Sequence, residues 1–296
     1  MIDSIKKYQK STKSNLKFSL LIPSWNNLDY LKLCIQSIQK NSFYEHQIIV
    51  IVNEGTDGTT SWIDRQSDID YVFSKENIGI CYALNISRSL VKTDYVVYIN
   101  DDMYVLPNWD LELDKEISKI GTKNFMLSST MIEPHDTGNN CVVVKDFGAD
   151  IGSFNEGLLL EKGSKLHKSD WRGSNWPPNI MHIDIWDLIG GYSIEFSPGM
   201  SSDHDLTRKL YEVGVRYFKG VGTSLVYHFG SKSIHRIKKN KGRMTFLRKW
   251  ETTIRQFNQK YLKRGEPFIE NIEQPKFFFI ENLVTKIKII LSYLKV

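Results

Sequence analysis

The sequence predicts an α/β protein: a mostly parallel sheet flanked by helices, followed by a C-terminal helical extension. Short runs of β-branched and apolar residues recur ahead of stretches with helical apolar spacing, which is the pattern of βαβ units. Each run breaks into a loop carrying Asn, Asp or Gly at its carboxyl end, where open α/β sheets bind their ligands. With 296 residues, 41% hydrophobic and 25% charged, the chain can bury a large core and is neither disordered nor fibrous in composition.

Residues 1–15 are polar and read as a frayed end. Lys17 to Ile22 reads as a buried strand stopped by Pro23, followed by the loop Ser24-Trp25-Asn26-Asn27. Leu28, Leu31, Leu33, Ile35 and Ile38 then form a helical stripe. Gln47 to Val52 is a second buried strand, and Asn53 to Thr59 is turn-rich before a helix near Ser61 to Gln66. Asp70 to Phe73 is a short third strand. Asn77-Ile78-Gly79 opens a helix through Ala83, Leu84, Ile86 and Leu90. The fourth strand, Tyr95 to Ile99, ends in Asn100-Asp101-Asp102. Two adjacent carboxylates gain nothing from a strand end, because desolvating unpaired charges costs several kcal/mol; they imply a cation. The loops at Pro23 to Asn27, Asn53 to Asp57, Asn77 to Gly79 and Asn100 to Asp102 fall on one rim.

From Gly121 to Met181 the pattern loosens. Met126 to Ser129 and Cys141 to Val144 are strand candidates, and Asp170 to Pro178 is a loop with two indoles, Trp171 and Trp176. Those rings either line a sugar site or pack the loop. Ser201-Ser202 is a candidate N-cap for a helix with Leu206, Leu210 and Val213 at i, i+4 and i+7. Arg248 to Leu262 reads as helical. After Pro275, Phe277, Ile280, Leu283, Val284, Ile287, Leu291 and Leu294 form an apolar stripe among lysines. That stripe fits a helix packed on protein or one lying in a membrane interface.

Cys34, Cys81 and Cys141 lack CxxC spacing and sit in or near apolar runs, so reduced core thiols are expected. The N-terminus has no apolar segment of the secretory kind, and no uncharged stretch approaches the ~20 residues of a membrane span. A cytoplasmic location is expected, with peripheral contact at the inner membrane face left open. The net charge is +5, yet Lys232, Arg236, Lys238, Lys239, Lys241, Arg243, Arg248 and Lys249 crowd together. Such a cluster is a solvated face or a site for anionic lipid or diphosphate. No nucleic-acid motif accompanies it, and nucleic acid is not an expected partner.

Six stretches, in order, resemble the family-2 glycosyltransferases. They are Ile22 to Asn26; Val52 to Thr59; Asn77, Gly79, Ala83 and Asn85; Asn100-Asp101-Asp102 in the place of that family's DxD motif; Ile189 to Tyr192 with Asp203 to Leu210 and Gly214; and Tyr227 to Ser231. The likeness covers roughly 17–235. It implies a GT-A type, Rossmann-like fold, with a catalytic domain at 1–235 (nucleotide-binding half about 17–120, acceptor-binding half about 121–235) and a basic, helical extension at 236–296.

The resemblance also assigns roles. Asp203 is the expected catalytic base. At a helix N-terminus its ionised form would be favoured, and it would take the proton of the acceptor hydroxyl as that oxygen attacks the anomeric carbon. Asp102 and His228 are the expected metal ligands, with Asn100 as a chargeless third; imidazole with carboxylate suits Mn²⁺ or Mg²⁺. Pro23, Ser24, Asn26, Asn53, Glu54, Asn77, Gly79, Asn85 and Asp101 are expected around the nucleotide. Trp186, Gly190, Gly191, Asp205, Ser231 and Lys232 are expected around the donor sugar and acceptor, with Ser231 and Lys232 also placed to bond the diphosphate. Asn53 can pair with a uracil or thymine edge, so a UDP- or dTDP-sugar is expected over a GDP-sugar.

The expected function is therefore metal-dependent, inverting transfer of a sugar from a nucleoside-diphosphate sugar to a glycan or lipid-linked hydroxyl in cell-surface polysaccharide assembly. Oligomeric state stays open. Asn100, Asn53 and Ser202 depart from the family pattern and leave a second reading, a sugar-nucleotide-binding relative with impaired turnover. A nucleotidyltransferase is disfavoured because no Gly-rich, Lys/Arg-bearing phosphate loop follows the first strand.

Overall fold

A computed structural model describes residues 5–230, 240–270, 275 and 279–294. The sheet is built from β1 (Ile5–Tyr8), β2 (Ser19–Trp25), β3 (Gln47–Asn53), β4 (Asp70–Ser74), β5 (Tyr95–Tyr98), β6 (Met103–Val105), β7 (Phe125–Glu133), β8 (Val143–Val144), β9 (Trp171–Arg172), β10 (Asn179–His182) and β11 (Tyr217–His228). Its order is β1-β4-β3-β2-β5-β10-β7-β11-β6, with β8 on β7 and β9 on β11. The four strands β4-β3-β2-β5 are parallel, as are β7 and β11, while β10 runs antiparallel between β5 and β7.

Helices α1 (Leu28–Asn41), α2 (Thr59–Ile63), α3 (Gly79–Ser87), α4 (Trp109–Ile120) and α5 (Glu156–Gly163) come first along the chain. They are followed by α6 (Ile183–Ile189), α7 (Ser202–Glu212), α8 (Gly242–Trp250), α9 (Ile254–Gln256, continued as a π-helix through Phe257–Tyr261) and α10 (Phe279–Leu294). Strand β3 shows why helices cover both faces. Ile48, Val50 and Val52 join one core cluster with Leu31 and Ile35 of α1, and Ile49 and Ile51 join another with Leu84 of α3 and Leu210 of α7. Each such fully buried aliphatic side chain contributes about 1.5–3 kcal/mol.

Four sequence expectations need correction. The N-terminus is not frayed from residue 5 onward: β1 pairs antiparallel with β4, and the next turn is tied down by Lys10 and Ser11 amides donating to Asp70. Pro23 does not stop its strand. Beyond Leu21, β2 keeps a partner only on its β3 side, so a residue without an N–H is tolerated. The expected helix over 248–262 is broken at Glu251, which takes a left-handed conformation (φ 50°), and α9 restarts under a Thr253–Gln256 capping box. Ser201 precedes α7 without a side-chain cap; the Ser202 hydroxyl instead donates to the Gly199 carbonyl.

Candidate active site

The run that ends in Asn100-Asp101-Asp102 delivers its carboxylates through a tight turn. β5 stops at Tyr98, and after Asp102 the chain re-enters the sheet as β6, antiparallel to the end of β11. Met103 stands opposite His228, and the Phe229 amide donates to the Asp102 carbonyl. The register therefore brings Asp102 Oδ1 to 3.6 Å from His228 Nε2, both side chains being buried. On the other side of the ring, Nδ1 lies 2.8 Å from Oε1 of Glu133, the last residue of β7. A carboxylate at Nδ1 holds the proton there and turns the Nε2 lone pair toward Asp102.

This donor set fits a hard divalent cation. Carboxylate oxygen and imidazole nitrogen suit Mn²⁺ or Mg²⁺, and such ions are often held by one or two protein ligands, with substrate phosphates completing the shell. Among the described residues no group of three or more His, Cys, Asp or Glu forms a complete metal cage. Buried Asp110 is structural by contrast. Asp110 accepts from the Phe43 and Tyr44 amides and from His46; burial pushes its carboxyl up, but these partners hold it below the usual range.

Asp203 lies in the first turn of α7 and lines the same cavity, about 470 Å³, as Asp102 and His228. The expected effect of the helix terminus does not win. Desolvation pushes the Asp203 carboxyl up to about 7, with the nearby Tyr192 hydroxyl drawing it partway back. A half-buried carboxyl poised near neutrality suits a general base. Its neighbour His204 is held neutral, lowered to about 3 by burial and by Arg264 and Arg243.

The structure also brings Pro23, Ser24, Asn53, Asn77, Gly79, Asn100 and Asp101 to this cavity. Ser24 Oγ is buried and has no hydrogen-bond partner among the described residues. Asn53 Oδ1 accepts from the Ile78 amide, which leaves its NH₂ group as a donor. Gly79, at φ +72°, lets α3 begin against the 197–199 loop; a Cβ there would lie 2.5 Å from Ser197 Oγ.

Other expected site residues serve elsewhere. Asn26 and Glu54 bond each other at 3.1 Å, bracing the loops after β2 and β3, and neither lines the cavity. Asn85 accepts from the Tyr192 amide and donates to its carbonyl, holding α3 to the segment after α6. Trp186 is core, packed beside Tyr192, and Gly191 is glycine because a Cβ would strike Asn85 and Trp186. Gly190 ends α6 in a left-handed turn. Asp205 turns away from the cavity to Lys249 (2.9 Å) and the Trp250 indole (2.8 Å). Ser231 and Lys232, with Arg236, Lys238 and Lys239 of the basic run and Phe277 of the apolar stripe, lie outside the described residues.

Sequence reasoning missed His204, Met131 and the Pro198-Gly199-Met200 loop on the cavity wall, and Glu133 behind the His228 ring. For Glu133 a signal was present: an apolar run ending in a carboxylate, as at Asp102. The indoles divide the two roles left open for them. Trp171 is buried and donates to Thr130, whereas Trp176 stacks on it and reaches the cavity.

A sheet of this order, with a carboxylate–imidazole pair at one wall of its loop-end cavity and a helix-borne aspartate in the same cavity, defines an α/β protein of the GT-A type. Residues 19–140 match the family described as Glycosyl transferase family 2. The chain is 32% identical over 157 residues to the uncharacterized glycosyltransferase YfnE of Bacillus subtilis, covering 52% of this chain and 34% of that protein. To the hyaluronan synthase of Pasteurella multocida it is 22% identical over 244 residues, 75% of this chain but 22% of that one. The chain thus spans 34% and 22% of these relatives' lengths. The fold is shared with S. aureus TarS 1-349 in complex with UDP-GlcNAc (TM-score 0.57, 12% identity, 94% of this chain and 72% of that one). It is shared also with GalNAc-T7 bound to UDP, GalNAc and Mn²⁺ (TM-score 0.56, 15% identity, 79% and 48%).

Proposed function

We propose that the protein is a metal-dependent, inverting glycosyltransferase that moves a sugar from a UDP- or dTDP-sugar to a hydroxyl of a glycan or lipid-linked acceptor in cell-surface polysaccharide assembly. The observation that carries the reading is one cavity lined together by Asp102, His228 and Asp203. Bound between Asp102 and His228, Mn²⁺ or Mg²⁺ would offset the charge of the departing diphosphate. The chain's own residues do the rest. Asp203 accepts the proton of the acceptor hydroxyl as that oxygen attacks the anomeric carbon from the face opposite the leaving group. The NH₂ of Asn53 donates to a base carbonyl, Ser24 Oγ is placed for the nucleoside, and Asp101 faces the ribose side. Solved neighbours that hold UDP or UDP-GlcNAc support the donor class.

In this reading residues 1–235 form the catalytic unit, and 236–296 close its acceptor side; Phe246, Phe257 and Leu262 share a core cluster with Leu206 and Leu210 of α7. Among the described residues no helix is long and apolar enough to cross a membrane. The exposed apolar residues of α10, among them Ile280, Ile287 and Ile290, support peripheral contact with the inner membrane face. The test is thermal unfolding with UDP, dTDP and GDP, each with and without Mn²⁺, followed by transfer assays with the sugar nucleotides of the stabilising base. Metal-dependent stabilisation by UDP or dTDP, with turnover, is expected. Nucleotide binding without turnover on any acceptor would favour the impaired relative instead.

A further inference from the structure

A second cavity of about 790 Å³ lies between α8, α9 and α10. Arg243, Arg255, Arg264 and Lys288 line it; among the described residues no acidic side chain does, and none of the four makes an ion pair. Between the cations stand the apolar side chains of Leu247, Ile254 and Leu291. Four cations gathered around one hollow repel each other and raise the hollow's affinity for an anion. This cavity is contiguous with the one that holds Asp203. Arg243 and Ile254 line both, Arg264 stacks at 4.8 Å over Trp176 of the first, and Asn258 of the second bonds His204, the residue after Asp203.

The seating of α10 says what kind of anion fits. This helix docks through its polar side: Thr285 accepts from Gln256 at 2.7 Å, Ser292 from Arg248, and Glu281 pairs with Lys260. Thr285 and Ser292 are buried, while Leu283, Val284, Ile287, Ile290 and Leu294 are 42–74% exposed. The helix that lends Lys288 and Leu291 to the cationic cavity therefore borders it with apolar surface. A free polyanionic glycan would satisfy the cations alone; an amphiphile with a phosphate head and an apolar chain satisfies both.

We propose that the cleft between α8, α9 and α10 binds the phosphate head of a lipid-linked acceptor, whose chain follows α10 and whose sugar hydroxyl reaches Asp203. The proposal rests on the glycosyltransferase reading above for the role of Asp203, but the cleft is tested by binding alone. Full-length protein is titrated by calorimetry with dodecyl phosphate below its micelle concentration. Inorganic phosphate serves as the head-only control, dodecyl maltoside as the uncharged control, and a polyuronate oligosaccharide as an anionic glycan. Dodecyl phosphate should bind at least about tenfold more tightly than any of the three, and Arg255→Glu with Lys288→Glu should weaken it by at least about tenfold, the loss of two charge-assisted contacts. UDP binding with Mn²⁺, measured on the same samples, should not change. Arg255→Gln with Lys288→Gln gives the same reading should the reversed charges disturb folding. Undiminished dodecyl phosphate binding in both double variants overturns the proposal, as does polyuronate or inorganic phosphate binding equally well. Failure of UDP to bind the unaltered protein would instead overturn the donor reading and leave the cleft result standing.

Discussion

Asp102 faces His228 because Met103 and His228 are opposite one another across β6 and β11, and Glu133 at the end of the adjoining β7 fixes the ring. Three strand ends thus converge on one imidazole. Removing Asp102 or His228 should abolish the Mn²⁺ dependence of UDP binding. Glu133→Ala should leave both ligands in place yet lower Mn²⁺ affinity by about 10–100-fold, the usual cost of losing a carboxylate behind a metal-binding histidine. Calorimetric titration of Mn²⁺ in the presence of UDP checks this. Glu133→Gln, which keeps an acceptor oxygen, should fall between.

Asp203 must be ionised to accept a proton, and its carboxyl is raised to about 7 by burial. kcat/KM should therefore climb as pH rises from 5 and level off above about 7, while UDP affinity stays nearly flat over that range. Asp203→Asn should reduce transfer by about 10²–10⁴-fold, the typical contribution of a positioned base, and retain nucleotide binding. Initial rates across pH, with binding measured in parallel, separate the two effects.

The same carboxyl makes a prediction about stability. In the unfolded chain it ionises near pH 4, whereas the folded protein keeps it protonated until about 7. Between those values the folded state binds the extra proton, so this group's contribution falls as pH rises and is fully unfavourable above 7. Asp203→Asn removes that burden. The variant should unfold at higher denaturant than the parent at pH 8, by a few kcal/mol at most on the order-of-magnitude scale of such shifts. The gap should close near pH 4. Urea unfolding at the two pH values tests it, and a catalytically dead variant that gains stability only at high pH is hard to explain by loss of structure.

The two indoles of the 170–178 loop have separable fates. Trp171 is fully packed, donates its indole N–H to Thr130, and lies where Gly220 has no side chain; Trp171→Ala should cost about 3–5 kcal/mol. Trp176 lines the cavity beneath Arg264, so Trp176→Ala should raise the acceptor KM with the donor KM little changed. Urea unfolding and steady-state kinetics with the acceptor varied report the two outcomes.

The parallel half of the sheet was legible because each strand there is a continuous apolar run and each loop after it carries Asn, Asp or Gly. Asp102, His228 and Asp203 took their expected roles from the resemblance to the family-2 glycosyltransferases, and the structure places the three at one cavity. Trp186, Gly191 and Asn85 misled because their chemistry also serves packing. Two contacts far apart in sequence, Asn85 with Tyr192 and Gly191 against Asn85, decide their role, and neither leaves a local pattern. The raised carboxyl of Asp203 was illegible too: a helix terminus is visible in sequence, while the desolvation that outweighs it depends on what surrounds the site.

Helix α10 shows where local pattern stops short in another way. Its apolar stripe fits packing on protein or lying on lipid, and the structure turns Ile280, Leu283, Val284, Ile287 and Leu294 outward while Thr285 and Ser292 face the body. Apolar area left in water at this scale drives partition into an interface, helped by Lys286 and Lys288 where the lipids are anionic. The full-length protein should therefore sediment with vesicles of mixed phosphatidylglycerol and phosphatidylcholine, less so at high salt because the lysine contribution is screened. Ile287→Glu with Ile290→Glu should release it, at a cost to folding within about 0.5 kcal/mol because both side chains are exposed. Removal of residues 272–296 should do the same. A full-length protein that stays in the supernatant, at low salt and with these anionic vesicles present, would mean that the outward stripe of α10 is covered by protein rather than lipid.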